Sequence, residues 1–380
     1  MLRALLRGFT GQLRRMMLVR RYRVMLALLL ITSVVGMDIY QRMVVQQIPV
    51  AIVDLDNSHV SRTLRTYIAA QREVRVTGEW LESPEQARQW LIDGKIGAVV
   101  VIPASLSQNL KKGRKGEVLI GVDASNILTG KNVYKALAKA AGTVGAGVQL
   151  TTVSKMGERD DKTLARVVPI AIEENLSFNP ATNYATYIAP GLVFFLLHVF
   201  VLLVAASMFL PGDRPVGPAQ LLGASCAIFS VGMTLGLAFF YLLLPREAIR
   251  PVSSLPTVMV MLAIFLAVDI LMASALSMAI PNRLLALEVV VVLAMLSLML
   301  SGITWPTDLF PPPLRALAEL SPFTPFARSL RMILHCPFGL GDLGGCLRSF
   351  ARQTAVFVGM LIAASATRSA WAAARSKVQC

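Results

Sequence analysis

Four long apolar stretches lie between Tyr187 and Ile303, and no other feature limits the fold of this chain as tightly. They run over Tyr187–Leu210, Ala219–Leu244, Leu255–Ile280 and Leu284–Ile303. At about 1.5 Å of helix rise per residue, each can cross roughly 30 Å of hydrocarbon. A fifth, alanine-rich run covers Thr354–Ala374, and a shorter one, Val24–Met37, sits near the start. With 55% hydrophobic and 16% charged residues, the chain has too little charge to clothe a soluble fold of 380 residues. The expectation is a polytopic α-helical membrane protein with six transmembrane helices and an α/β extracytoplasmic domain inserted between helices 1 and 2.

The short run Val24–Met37 has the length of a signal-peptide core. An arginine-rich leader precedes it, and Met37-Asp38-Ile39-Tyr40 follows without a small-x-small cleavage pattern. The reading favoured is an uncleaved anchor whose helix continues past Asp38. Within residues 1–20, Leu2, Leu5, Leu6, Phe9 and Leu13 recur at helical spacing among arginines, which suggests an amphipathic interfacial helix.

Charge sets the expected orientation. The net charge is +15, and residues 1–23 hold Arg3, Arg7, Arg14, Arg15, Arg20, Arg21 and Arg23 with no acidic residue. Such a cluster beside an apolar run marks a cytoplasmic flank and argues against nucleic-acid binding. Both termini are then expected in the cytoplasm. The domains expected are an amphipathic helix over 1–20, helix 1 over 21–40, a periplasmic α/β domain over 41–186, and helices 2–5 over 187–303. A periplasmic loop over 304–352, helix 6 over 353–375 and a tail over 376–380 complete them.

Residues 48–180 alternate strand and helix signals. β-Rich runs fall at Pro49–Asp54, Val74–Thr77, Ala98–Pro103, Val118–Val122 and Val167–Ile172. Between them, Ser58 or Ser61 and Ser83-Pro84-Glu85 offer helix starts, and a long helix is expected over about 128–156. Alternation of this kind predicts a mixed or parallel sheet with helices against it. The loop 304–350 carries Trp305-Pro306, Pro311-Pro312-Pro313 and Ser321-Pro-Phe-Thr-Pro325 around two short helices, and suggests a re-entrant or interfacial element.

Little in the chain suggests catalysis. Gly130-Lys131 has no glycine five positions earlier and is followed by Asn132, so it forms no phosphate-binding loop. The three histidines have no metal-ligand spacing. Asp269 and His198 fall in the middle of apolar runs, where polar groups are costly; each is a candidate pathway residue or an inter-helix polar contact. Asp54 and Asp56 end a strand and either bind a cation or start the next helix. Of the four cysteines, Cys336 and Cys346 share one loop and are a candidate disulfide, with two free thiols the alternative.

Two stretches carry a resemblance. Pro49-Val-Ala-Ile-Val-Asp-Leu-Asp-Asn-Ser-His-Val-Ser-Arg-Thr-Leu64 resembles the opening of the extracytoplasmic domain of type-2 ABC exporter permeases of Gram-negative bacteria, the adaptor-linked kind. Ser301-Gly-Ile-Thr-Trp-Pro306 through Leu320-Ser-Pro-Phe-Thr-Pro-Phe-Ala-Arg-Ser-Leu-Arg331 resembles the hallmark of the last outer loop in that family. The resemblance implies an inner-membrane subunit of an ATP-driven export complex. Two permeases, identical or related, would form the substrate pathway, and separate ABC ATPase subunits would bind the ATP. It also implies a periplasmic adaptor and an outer-membrane channel as partners beside the lipid bilayer, with no cofactor in this chain. The loop Pro211–Pro218 lacks the Glu and Gly-Thr that the family uses to dock its ATPase. Candidate ATPase contacts are therefore Arg14 and Arg15 on the leader helix and Asp213 and Arg214 in that loop. Two other readings are a membrane-anchored periplasmic sensor or scaffold, which would need cytosolic signalling modules, and a secondary transporter, which would favour internal repeats.

Overall fold

A computed structural model describes residues 1–41, 47–77, 81, 83–112, 114–123, 125, 127–154, 184–209 and 217–378. Two compact units result: one joins 1–43 to 176–380, and the other is 44–175. The expected strand at Val167–Ile172 lies outside the described residues, as do Asp213 and Arg214.

The first unit is helical. Helix α1 covers Leu2–Leu18 and α2 covers Arg20–Gln41, so the second helix does continue past Asp38. After the other unit come α7 (Tyr184–Ser207), α8 (Pro218–Ala238), α9 (Leu255–Ala279), α10 (Arg283–Leu300), α11 (Pro312–Ala318), α12 (Phe323–His335) and α13 (Gly344–Val378). Helix α8 runs on through a π turn at Phe239–Leu243 and a 3-10 turn at Leu244–Glu247. Pro245 lacks an amide hydrogen for the α ladder, and the chain then turns at Ala248 with φ 57°. At the end of α10, Gly302 takes φ 86°, a left-handed conformation that costs glycine little.

Six helices among the described residues are long and apolar enough to cross a membrane: Arg20–Ile39, Thr186–Ser207, Pro218–Glu247, Leu255–Ala279, Arg283–Leu300 and Leu340–Thr367. The last begins well before the expected 353, because the short Leu340–Leu343 turn leads straight into α13. Several of these helices turn large apolar side chains outward, among them Ile31, Val292 and Ile362, each more than half exposed. In water that would be a liability, whereas lipid solvates such residues without cost.

Helix α7 packs against α2, α9 and α10, and α9 packs against α8, α12 and α13. Lipid tails are as apolar as leucine, so close packing and inter-helix hydrogen bonds must hold these helices together. Phe194, Phe265 and Phe326 supply the packing, with ring centroids 5.4 Å apart for Phe194–Phe326 and 4.0 Å for Phe265–Phe326. Helix α12 belongs to this core. Its Phe323, Phe326, Leu330 and Ile333 are buried, so the 304–350 segment is no ordinary exposed loop.

The second unit holds a four-stranded mixed sheet in the order β2-β1-β3-β4: β1 is Ile48–Asp54, β2 Val74–Val76, β3 Ala98–Ile102 and β4 Leu119–Val122. Strand β1 pairs in parallel with β2 and β3, and β4 runs antiparallel to β3. Crossover helices join the parallel strands: α3 (His59–Ala69) and α4 (Pro84–Ile92), followed by α5 (Leu106–Lys111) and α6 (Ile127–Ser154). Ser58 caps α3 by accepting from the Ser61 amide at 3.2 Å, and Ser83 caps α4 by accepting from Gln86. One face of the sheet buries Val50, Ile52, Val100 and Ile102 with Leu64, Ile68 and Leu137. The other face covers Ala51, Val53 and Val99 with Leu81, Ala87 and Ile96. Burial on both faces explains why the strands read as continuous apolar runs.

Candidate functional site

The polar residues that stand out in the apolar runs meet. Helix α7 brings His198 and α9 brings Asp269, and His198 Nδ1 lies 2.9 Å from Asp269 Oδ2 with both side chains fully buried. Phe265 stands one turn before Asp269, and Phe195 one turn before His198. Phe323, at the start of α12, stacks on the imidazole at 5.2 Å, while Phe265 stacks on it at 5.9 Å. Aromatic faces therefore seal the pair. His198 Nε2 and Asp269 Oδ1 have no hydrogen-bond partner. One hydrogen bond links the two helices here, and among the described residues no second donor or acceptor completes either group. Among the described residues no cluster of three or more histidine, cysteine or carboxylate side chains forms.

The leader arginines occupy a separate surface. Helix α1 lies along α8, with Gln12 and Met16 buried and Arg3, Arg7 and Arg14 exposed; Arg15 is half-buried. Glycines permit the approach. A methyl group built on Gly8 would fall 2.1 Å from the Gln220 carbonyl oxygen, and one on Gly223 would fall 2.0 Å from that of Leu5. The two backbones touch where any side chain would separate them. Nothing in the sequence pattern alone marks these glycines, because each is identified only by the helix opposite.

Cys336 and Cys346, the candidate disulfide pair, each carry a free thiol in the structure. Cys336 follows the last turn of α12, where its amide donates to the Met332 carbonyl. Cys346 lies in α13 and its sulfur accepts from the Ser329 hydroxyl at 2.9 Å, which engages it locally.

A further set of polar contacts fixes the end of α11 against α13. Glu319 receives Arg328, Arg352 and Ser349, and the buried Gln353 amide donates to the carbonyls of Glu319 and Ser321. Ser321 in turn donates to Ser297 of α10 at 2.8 Å.

Six helices among the described residues that are long and apolar enough to cross a membrane, two of them joined by a buried polar pair, define a multi-pass helical membrane protein. Residues 22–366 match the family model of the ABC-2 family transporter proteins, and the chain belongs to that family. It is a membrane subunit of an ABC transporter and associates with an ABC ATPase subunit. No curated protein matches it.

Proposed function

We propose that this chain is the permease of an ATP-driven export complex in the bacterial inner membrane. It would pair with a second permease and be powered by separate cytosolic ATPase subunits. In this reading the leader is cytoplasmic, both termini face the cytosol, and the sheet-bearing unit stands in the periplasm, where it meets an adaptor protein and, through it, an outer-membrane channel. The observation that carries the reading is the seat of α1 on the first turns of α8, at Gln220 and Gly223. Helix α8 follows the sequence Pro211–Pro218, which lacks the Glu and Gly-Thr of the family's docking stretch and whose three prolines disfavour a helix. An arginine-bearing helix fixed at that end offers the ATPase a rigid surface in place of the loop. His198 and Asp269 serve as an inter-helix lock, since rings stack on the imidazole and neither side chain meets solvent.

The test is a pull-down of the full chain with its ATPase from native membranes, with a photo-crosslinking residue at Arg14. Crosslinking to the ATPase supports the reading. An ATPase that co-purifies without any crosslink from α1 removes that helix from the coupling, and the absence of any ATPase partner removes the export reading.

A further inference from the structure

Between the first turns of α7 and the last turns of α12 lies a cavity of about 380 Å³. Pro190, Ile303, Leu330 and Leu334 make its walls apolar, and Arg331 and His335 supply polar groups from α12. The volume suits a small organic molecule. Its shape is built in: a methyl group on Gly191 would come within 2.6 Å of Ile303, so α7 approaches the wall as closely as a glycine allows.

Among the described residues no carboxylate neutralises the charge in this cavity. Arg331 donates Nη2 to the Gly302 carbonyl and stands over the face of Tyr187 at 5.1 Å. Its buried Nε has no hydrogen-bond partner, and no carboxylate pairs with it among the described residues. Of the two acids nearest in sequence, Asp342 accepts from the Gly339 amide and Glu319 is occupied by Arg328 and Arg352. Burial and then the Arg331 charge both hold the His335 imidazole below its ordinary pKa, so it stands neutral beside the guanidinium at neutral pH. A half-buried guanidinium with a free N–H and no counter-ion among the described residues, at the edge of an apolar chamber, is a ready partner for a bound anion.

We propose that this cavity binds an amphiphilic organic anion, with the carboxylate or phosphate on Arg331 and the hydrocarbon body against Pro190, Ile303 and Leu334. The site goes beyond the export reading, because binding needs neither ATP nor a partner and stands whether the anion is cargo or a resident lipid.

The experiment uses the full chain in nanodiscs of zwitterionic lipid and a fluorescent dodecanoate as probe. Saturable binding is expected, with unlabelled dodecanoate competing and dodecanol and dodecyltrimethylammonium competing at least about tenfold less well, as loss of a charge-assisted hydrogen bond requires. Arg331→Gln is expected to weaken the probe by a similar factor, and Arg331→Lys to restore part of it. Leu334→Trp, which keeps the guanidinium and fills the chamber, is expected to abolish binding and decides the matter if Arg331→Gln does not fold. Repeating the measurement with phosphatidylglycerol in the nanodisc separates the sources. Loss of probe binding identifies a bilayer lipid as the occupant, and retention identifies a free amphiphile. Equal competition by dodecanol and dodecanoate on the unaltered protein, or unchanged affinity in both Arg331→Gln and Leu334→Trp, overturns the proposal.

Discussion

His198 Nδ1 and Asp269 Oδ2 stand 2.9 Å apart with both side chains fully buried and phenylalanines stacked on the imidazole, and this hydrogen bond joins α7 to α9. Removing either partner strands the other. His198→Leu or Asp269→Leu is expected to cost about 1–3 kcal/mol, the penalty for an unsatisfied buried polar group. The double variant is expected to cost less than the sum, since it leaves no orphan. Reversible unfolding in detergent–denaturant mixtures measures the cycle. A double variant that regains stability and still transports supports a lock. One that folds normally and no longer transports would move the pair into the working pathway.

The crossing of α1 and α8 is set by backbone, so adding one carbon is expected to open it. Gly8→Ala or Gly223→Ala places a methyl group on a carbonyl oxygen that cannot rotate away. Gly11→Ala is the control, because a methyl group there meets nothing within 4 Å. On helix propensity alone, all three changes should stabilise by up to about 1 kcal/mol. Tryptic cleavage after Arg14 and Arg15 reads the outcome. It should accelerate in the first two variants and stay unchanged or slow in the third.

Two kinds of polar contact meet at the end of α11, and their exposures rank them. Gln353 is 1% exposed and its amide nitrogen satisfies two carbonyls at 2.8 and 3.0 Å. Arg352 approaches Glu319 at 3.5 Å with its own side chain 70% exposed. Gln353→Leu is therefore expected to destabilise by about 1–3 kcal/mol. Arg352→Ala should cost no more than about 0.5 kcal/mol, because water and salt screen the pair. A thermal-unfolding series in detergent should place Gln353→Leu well below Arg352→Ala, and the reverse order would show that the ion pair carries this joint.

How legible these features were in the sequence follows from the range of the physics behind them. The spans were readable because a bilayer demands about twenty apolar residues in a row. The strands were readable because a sheet buried on both faces gives unbroken Val and Ile runs, as in Val99–Val101. The caps at Ser58 and Ser83 are local chemistry. His198 and Asp269 were conspicuous singly, yet they are 71 positions apart and only packing pairs them. Arg331 was hidden among other arginines of an apolar-basic helix, and its significance rests on a carboxylate that no neighbour among the described residues supplies. For Cys336 and Cys346 the sequence left a disulfide and two free thiols both open, because shared loop position says nothing about which partner each sulfur meets.

Asp56 gives a pH signature outside the helical unit. Burial opposes its ionisation, but the Ser58 hydroxyl, the Ser107 amide and hydroxyl and, more weakly, Lys111 outweigh that and hold its pKa below the usual 3.8. Ser107, in the first turn of α5, donates its amide at 3.1 Å and its hydroxyl at 2.8 Å to Asp56 Oδ1. The folded carboxylate thus binds its proton less readily than the unfolded one. Its stabilisation is fully present above pH 3.8 and is lost as the pH falls through the lower folded value. Ser107→Ala removes one of the charge-assisted bonds, so the Asp56 titration should move up toward 3.8, as carbodiimide footprinting of Asp56 against pH would show. The melting-temperature gap between the unaltered protein and Ser107→Ala should be constant near neutral pH and narrow below 3.8. A gap that widened in acid would mean that Ser107 holds a protonated carboxyl instead, and that the end of β1 is built around a neutral acid.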